Sequence, residues 1–382
     1  MAAMTLALAA LTAQAADRPD EPLPTQPPGA ATTLKRSNDF LYQLQGINLA
    51  AIGRTRYDLV VIDYSSDGSE SGEFSAHQVE RLKHSPGGRK FVLSYISIGE
   101  AEDYRFYWEN GWAPGNPSWL GAENPSWAGN YKVRYWDPEW QQIVFAYTDR
   151  LLDAGFDGAY LDLVDAYYYW EQRGRGSAAQ DMADFVHAIA AYARERDPDF
   201  YLFVQNAAEL VELAGYLSGI TGIGQEDIYY GYNADNQATP ATVSAEMEGF
   251  LDQFKAAGKI VLTIDYATTP TKVNDAYARS RAKGYVPFVT VRALDQLTLN
   301  PGQKPDAGAT CLGKPANYIG GPAADSLTGT NAADRLLGLG GADVLTGGGG
   351  DDYLCGGPGD DTCYGDLGED EGMSCETTDS IP

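Results

Sequence analysis

Eight short apolar runs recur between Phe40 and Leu297, at 41–45, 59–64, 91–98, 158–163, 201–205, 220–224, 260–266 and 286–291. Each is rich in β-branched or aromatic residues and is bounded by turn residues. That is how strands buried on both faces of a parallel sheet read. The segments between them carry helical signals. Asp137-Pro138-Glu139 offers an N-cap, a proline at the first helical position and a first-turn acid, with Gly155 as the stop. Ile143, Tyr147, Leu151 and Ala154 fall on one face of that helix. Ser177 and Gln180 have the spacing of a capping box ahead of the stripe Met182, Phe185, Val186, Ile189 and Tyr192. Thr239-Pro240 opens another helix, which buries Met247, Phe250, Leu251 and Phe254 and ends at Gly258. Eight strands with crossovers over about 260 residues predict an α/β fold of the (β/α)8 TIM-barrel type. The rival, a doubly wound open sheet, would place a Gly-rich phosphate loop after its first strand. Leu44-Gln45-Gly46-Ile47 offers none.

The end of the chain has a different rhythm. Glycines stand at 320, 329, 338, 347, 356 and 365, and Asp325, Asp334, Asp343, Asp352, Asp361 and Asp370 keep the same period of nine. Leu327, Leu336, Leu345 and Leu354 follow two residues after the first four aspartates. A small parallel β-roll is expected, each repeat burying one large apolar residue while glycine permits the tight corners. From Gly320 onward there are 13 Asp and Glu against the single basic residue Arg335, within a net charge of −26 for 382 residues. That balance excludes a basic nucleic-acid binder, and the apolar fraction of 44% excludes a disordered chain.

The first residues, MAAMTLALAALTAQAA, form an apolar stretch ending in Ala13-Gln14-Ala15, although no basic residue precedes it. The stretch reads as a secretory signal and is too short to span a bilayer. The expected organisation is a signal at 1–16, a Pro-rich linker at 17–36, a barrel at 37–300, a linker at 301–319 and a repeat module at 320–376. No later segment is apolar enough to cross a membrane, and the chain is expected to act outside the cell as a monomer. Cys311, Cys355, Cys363 and Cys375 suggest two disulfides, with three connectivities open. Their spacing does not match a zinc site, and His77, His84 and His187 are scattered, so no metal is expected in the catalysis.

In a barrel the chemistry gathers where the strands end. The second run ends in Asp63-Tyr64, and the third passes Tyr95 and Ser97 into Gly99-Glu100. The fourth gives Asp162 and Asp165, and the fifth Gln205-Asn206. The sixth gives Gln225-Glu226-Asp227, the seventh Asp265-Tyr266, and the eighth Arg292 and Asp295. Asp165, Asp227 and Asp295 could equally cap the helices that follow. Asp162 alternates inside its own strand run and should point into the mouth, with Asp63 and Asp265 in comparable inward positions. Glu226 is expected two residues beyond the glycine that ends its strand. All seven tryptophans lie between Trp108 and Trp170, on loops of the same face, where they suggest platforms for the apolar faces of sugar rings. Acids and aromatics without a Ser-His pair or a nucleotide loop point to glycoside hydrolysis by two carboxylates.

Val61-Ile62-Asp63-Tyr64, Leu93-Ser94-Tyr95-Ile96-Ser97-Ile98-Gly99-Glu100-Ala101-Glu102, Gly155-Phe156-Asp157-Gly158-Ala159-Tyr160-Leu161-Asp162 and Gly222-Ile223-Gly224-Gln225-Glu226-Asp227 resemble glycoside hydrolase family 114, which contains endo-α-1,4-polygalactosaminidases. The resemblance implies a retaining mechanism with Asp162 as nucleophile and Glu226 as general acid/base, roughly 5–6 Å apart. It implies that Asp63, Tyr95, Glu100, Asn206 and Asp265 line the subsite of the cleaved sugar, and Tyr64, Ser97, Asp165 and Tyr266 are further substrate-binding candidates beside them. The substrate would be a cationic amino-sugar polysaccharide, which suits an anionic cleft. The period-nine tail resembles RTX calcium-binding repeats, which implies Ca²⁺ held around Asp343, Asp352 and Asp361. The alternatives are a non-catalytic carbohydrate-binding barrel displayed by the RTX tail, and an adhesive tail for which the barrel is a spacer.

Overall fold

The computed structural model describes residues 39–85, 89–300, 302–303, 310–316, 318–320 and 324–381, together with Leu34 and Ser37. The expected signal and nearly all of the first linker lie outside the described residues, as do 301, 304–309 and 317 of the second. β1 (Phe40–Gln43), β2 (Leu59–Ile62) and β3 (Phe91–Ser97) come first, separated by α1 (Leu49–Arg54) and α2 (Ala76–Lys83). β4 (Glu100–Glu102), β5 (Leu120–Glu123) and β6 (Asn130–Val133) then form a separate antiparallel sheet inserted before α3 (Pro138–Asp153). β7 (Gly158–Asp162), α4 (Tyr167–Glu171), α5 (Ala178–Arg196), β8 (Tyr201–Gln205), β9 (Gly222–Glu226), α6 (Ala241–Ala256), β10 (Ile260–Tyr266), α7 (Pro270–Lys283) and β11 (Val286–Thr290) complete the body.

Eight of these strands make one parallel sheet in the order β1-β2-β3-β7-β8-β9-β10-β11. It curls into a nearly closed barrel. Phe40 meets Phe288 across the seam, with ring centroids 5.5 Å apart, and the N–H groups of Leu44 and Gln45 donate to the Leu294 carbonyl. One crossover departs from the helical pattern: β8 is joined to β9 by two 3₁₀ turns, Ala208–Glu212 and Tyr216–Gly219.

Two local expectations are corrected. Ser177 does not form a capping box, because Arg175 draws the Asp181 carboxylate to the helix start and Ser177 Oγ donates to Asp181 Oδ2 instead. The sixth barrel strand runs two residues later than its apolar pattern suggests, from Gly222 to Glu226 rather than over 220–224. Gly224 is therefore an interior residue, not the terminator, and Gly222 opens the strand. A Cβ on Gly224 would lie 1.7 Å from the Tyr160 hydroxyl, and one on Gly222 would lie 2.4 Å from the Phe203 ring. Tyr160 and Phe203 fill the barrel, so the neighbouring strand must be bare there. Glu226 is consequently the last residue of the strand.

The C-terminal strands follow as β12 (Thr310–Cys311), β13 (Lys314–Pro315), β14 (Tyr318–Ile319), β15 (Ser326–Thr328), β16 (Arg335–Leu337), β17 (Val344–Gly349), β18 (Tyr353–Cys355), β19 (Thr362–Leu367), β20 (Glu371–Met373) and β21 (Thr377–Asp379). β14-β16-β18-β20 form one parallel sheet and β15-β17-β19-β21 another. Leu327 pairs with Leu345 and Leu345 with Cys363, while Leu336 pairs with Leu354. One repeat is therefore half a turn of the expected roll, and full turns recur every second repeat. Leu336, Leu345, Leu354 and Cys363 make its small buried core. Of the three open connectivities, the cysteines adopt Cys311–Cys355 and Cys363–Cys375, with Cα separations of 5.5 and 5.9 Å.

Candidate active site

Strand register decides which side chains meet in the mouth. Ser97 pairs with Asp162 and Tyr95 with Tyr160, while Gln205 pairs with Gly224 and Glu226 with Ile264. Paired residues in a parallel sheet face the same side, so Tyr95, Asp162, Glu226 and Tyr266 all turn inward. Asp162 Oδ2 accepts from the Tyr95 hydroxyl at 2.9 Å, and Oδ1 accepts from the Leu163 N–H at 2.7 Å. Glu226 Oε2 accepts from Asn206 Nδ2 at 3.0 Å, and Oε1 accepts from the Tyr266 hydroxyl. Asn206 Oδ1 in turn takes the Glu226 N–H at 3.1 Å and Gln225 Nε2 at 3.0 Å. Burial, followed by repulsion from Glu226 and Asp165, pushes the Asp162 carboxyl up to about 8. Leu163, Asn206 and Asp227, each immediately after a barrel strand, have left-handed φ values of 59°, 59° and 60°. Such backbone costs roughly 1–2 kcal/mol per non-glycine residue. Here it turns the chain sharply at the strand ends that carry the acids.

Tyr42 and Tyr160 were missed by the strand-end reading because they stand within β1 and β7. Tyr42 packs on Tyr160 at 5.2 Å, and the Tyr160 hydroxyl donates to Gln205 Oε1. Burial first, and then the fields of Asp162 and Glu226, hold both phenols well above their ordinary range. They stay neutral beneath the acids. Inward alternation of aromatics within the runs was the signal that could have found them.

The remaining candidates divide. Asp63 points inward, but both its oxygens are taken by Arg105 Nη1 at 2.8 and 2.7 Å, and Arg105 Nε also donates to Glu102 at 2.6 Å. Burial raises Asp63 to about 6 against the pull of that guanidinium. Glu100 is fully buried; its Oε1 accepts from Asn124 and Lys132, and its Oε2 has no partner. Asp165 is raised to about 6 by burial and then by Glu226, with Lys132 opposing, so it belongs to the same electrostatic cluster.

Two candidates are turned away from this group and a third is engaged elsewhere. Tyr64 lies one residue beyond Asp63 and faces outward, packing on Tyr147 of α3 at 5.0 Å. Asp265 alternates with the inward Tyr266 and therefore also faces outward, contrary to expectation. There it accepts the N–H groups of Tyr229 and Tyr230 at 2.6 and 2.8 Å, and burial raises it to about 7. Ser97 faces inward but its hydroxyl closes the turn to the Glu100 carbonyl at 2.8 Å. Among the supposed aromatic platforms, Trp119 of the inserted segment and Trp140 of α3 are core, packed on each other at 5.1 Å. Tyr104, Trp127, Tyr168 and Tyr232 remain exposed.

The sequence model of glycoside-hydrolase family GH114 matches residues 21–305, the whole barrel. The chain is a member of family GH114. It is a glycoside hydrolase. An uncharacterized protein of Methanocaldococcus jannaschii is 39% identical over 282 residues, 69% of this chain and 80% of its own. One from Thermotoga maritima is 37% identical over 282 residues, 70% and 85% of the two chains. Among solved structures, the barrel is similar to the glycoside hydrolase domain of PelA from Pseudomonas aeruginosa, at 22% identity and a TM-score of 0.53, covering 69% of this chain and 98% of that one. It is also similar to Aspergillus fumigatus Ega3, solved in complex with galactosamine, at 17% identity and a TM-score of 0.50 over 70% and 96% of the chains. Both likenesses show the GH114 chain sharing their fold.

Residues 319–371 match RTX calcium-binding nonapeptide repeats. The side chains of the roll fit a cation. Asp343, Asp352, Asp361 and Asp370 are buried, and in each one carboxylate oxygen, Oδ2, has no hydrogen-bond donor. Each Oδ1 instead accepts the N–H of the aspartate 18 residues earlier, at 2.7–2.9 Å. Asp334 differs, because the N–H and hydroxyl of Thr330 occupy its Oδ2. Among the described residues no three acidic, His or Cys side chains converge on one point. A hard cation there would draw its other ligands from backbone carbonyls.

Proposed function

We propose that this protein is an extracellular endo-acting hydrolase of α-1,4-linked galactosamine polysaccharide, using Asp162 as nucleophile and Glu226 as general acid/base. The observation that carries the reading is the convergence of these two carboxylates, from the ends of β7 and β9, on one mouth lined by tyrosines. The galactosamine in the Ega3 complex supports the choice of sugar, and the paired disulfides and RTX repeats suit an oxidising, calcium-rich exterior.

In the first step an Asp162 oxygen forms a bond to the anomeric carbon while the glycosidic bond breaks. Glu226 gives its proton to the leaving oxygen. In the second, Glu226 takes a proton from water, whose oxygen displaces Asp162 and restores both groups. Near neutral pH the buried Asp162 carboxyl is held protonated in the free site, so the pair carries a proton that must reside on Glu226 when attack begins. The cationic sugar and the positive charge developing at the anomeric carbon favour that transfer. The hydroxyl of Tyr95 and the N–H of Leu163 then steady Asp162 as an anion. In the tail, Asp343, Asp352 and Asp361, joined by Asp370, would hold Ca²⁺ and neutralise the row of buried carboxylates.

Reducing-end release from partially deacetylated α-1,4-galactosaminan tests the reading. Asp162→Asn and Glu226→Gln are each expected to lose about 10³-fold or more in kcat while still binding the polymer. NMR of the first-formed product should show the α-anomer. Variants that keep turnover would remove the assigned pair, and a β-anomer would replace retention by inversion.

A further inference from the structure

A second site lies beside the mouth, where the chain leaving β6 meets the loop after β7. It is an open surface notch of about 550 Å³ lined by Arg134, Trp136, Trp170, Arg173 and Arg175 and by the turn leading to Ser177. None of these side chains is a partner of Asp162 or Glu226. The charge here opposes that of the whole molecule. The chain carries 53 acidic against 27 basic residues, yet three guanidinium groups face one notch. Arg175 is held by Asp181 at 2.6 Å and lies over the Trp136 ring at 3.6 Å. Arg173 lies over the Tyr169 ring at 3.5 Å and donates to the Tyr169 carbonyl. Among the described residues, neither Arg134 nor Arg173 has a carboxylate within ion-pair distance, and both are exposed.

The aromatic wall is rigid. Trp170 donates its indole N–H to the Val133 carbonyl at 2.9 Å, and Trp136 and Trp170 meet edge to face with centroids 5.0 Å apart. Half-buried indoles fixed in this way suit the C–H face of a pyranose ring. Guanidinium forks suit a planar carboxylate, which they grip through paired N–H donors. Together they describe a carboxylated sugar. We propose that this notch is a binding site for a uronate-bearing polysaccharide, separate from the catalytic carboxylates and independent of which polymer those cleave. A protein of net charge −26 repels polyanions overall, so attraction to one requires a local device of this kind.

Tryptophan fluorescence of the full-length calcium-loaded protein, titrated with trigalacturonate, tests the site, with maltotriose and sodium sulfate as parallel arms. A saturable change is expected with trigalacturonate alone. The exposed pair Arg134→Gln/Arg173→Gln should weaken it about tenfold or more, and Trp136→Leu should weaken it without altering the thermal transition. Turnover at the catalytic acids should be unchanged in the arginine pair. The proposal is overturned by no saturable response, by an undiminished response in Arg134→Gln/Arg173→Gln, or by sulfate acting as strongly as trigalacturonate.

Discussion

The barrel and the roll solve the burial of acidic side chains in opposite ways. In the barrel, Asp63, Asp162, Asp165 and Asp265 sit within a continuous apolar core that spans from Leu34 to Leu294. Burial holds them at about 6, 8, 6 and 7, and each is met by named protein partners or neighbours. In the roll the buried core is four side chains, and four aspartates keep an oxygen that no protein group satisfies. Burial shifts carboxyls in both regions, for Asp343 of the roll is also raised to about 6. The difference is that the barrel surrounds its acids with protein partners, whereas the roll leaves four carboxylate oxygens open to an external cation and is braced by two covalent bridges. The first arrangement suits chemistry and the second suits calcium-dependent folding.

Chelation should separate the two regions most widely. In EDTA the roll's calorimetric transition is expected to fall by about 10 °C or more, while the barrel's transition and hydrolytic activity stay in place. If EDTA shifts neither transition, the contrast fails on the roll's side. A substitution inside the barrel should do the reverse. Gly224→Ala forces a Cβ against the Tyr160 hydroxyl and should destabilise the barrel by about 3 kcal/mol, leaving the roll's transition unmoved.

Proton titration sharpens the comparison further. Above about pH 8 Asp162 of the proposed catalytic pair loses its proton, and kcat/KM should fall roughly tenfold per pH unit. The same shift has a stability sign. A carboxyl raised from its ordinary value of 3.8 to about 8 contributes stability that is fully present in acid and is lost as pH rises through 8. Asp162→Asn should therefore raise the barrel's melting point at pH 9 by about 5 °C and leave it nearly unchanged at pH 4. Equal shifts at both pH values would sever stability from this titration. The smallest effect is expected from Tyr95→Phe. Loss of one donor to Asp162 should lower kcat about fivefold to tenfold and move the alkaline limb upward, because that hydrogen bond favours the carboxylate.

Much of this was legible in the residues because it depends on local repetition. Buried strands announce themselves by β-branched runs, and the period of nine makes a roll before any contact is known. Candidate acids stand out because few other polar residues end so many runs. Parity was harder. Tyr64 and Asp265 were read as part of the site, yet each lies one position from the residue that faces inward, and a single step along a strand reverses the direction of a side chain. Arg105 could not be assigned to Asp63 from sequence, since it arrives from the inserted layer beyond β4.

By itself, then, the amino-acid order determined the eight barrel strands and the helices between most of them, the acidic and aromatic character of the strand ends, and the repeat of the tail, but not the inserted sheet of β4, β5 and β6. These follow from propensity, periodicity and composition, which act over a few neighbouring residues. Only the tertiary structure decided that Gly224 lies inside its strand rather than at its end, because the ring it accommodates comes from β7. It alone selected one disulfide pairing of three and set Glu226 at its strand end beside Asn206 and Tyr266. Those outcomes depend on register and volume across a closed sheet, where residues distant in the chain compete for the same space.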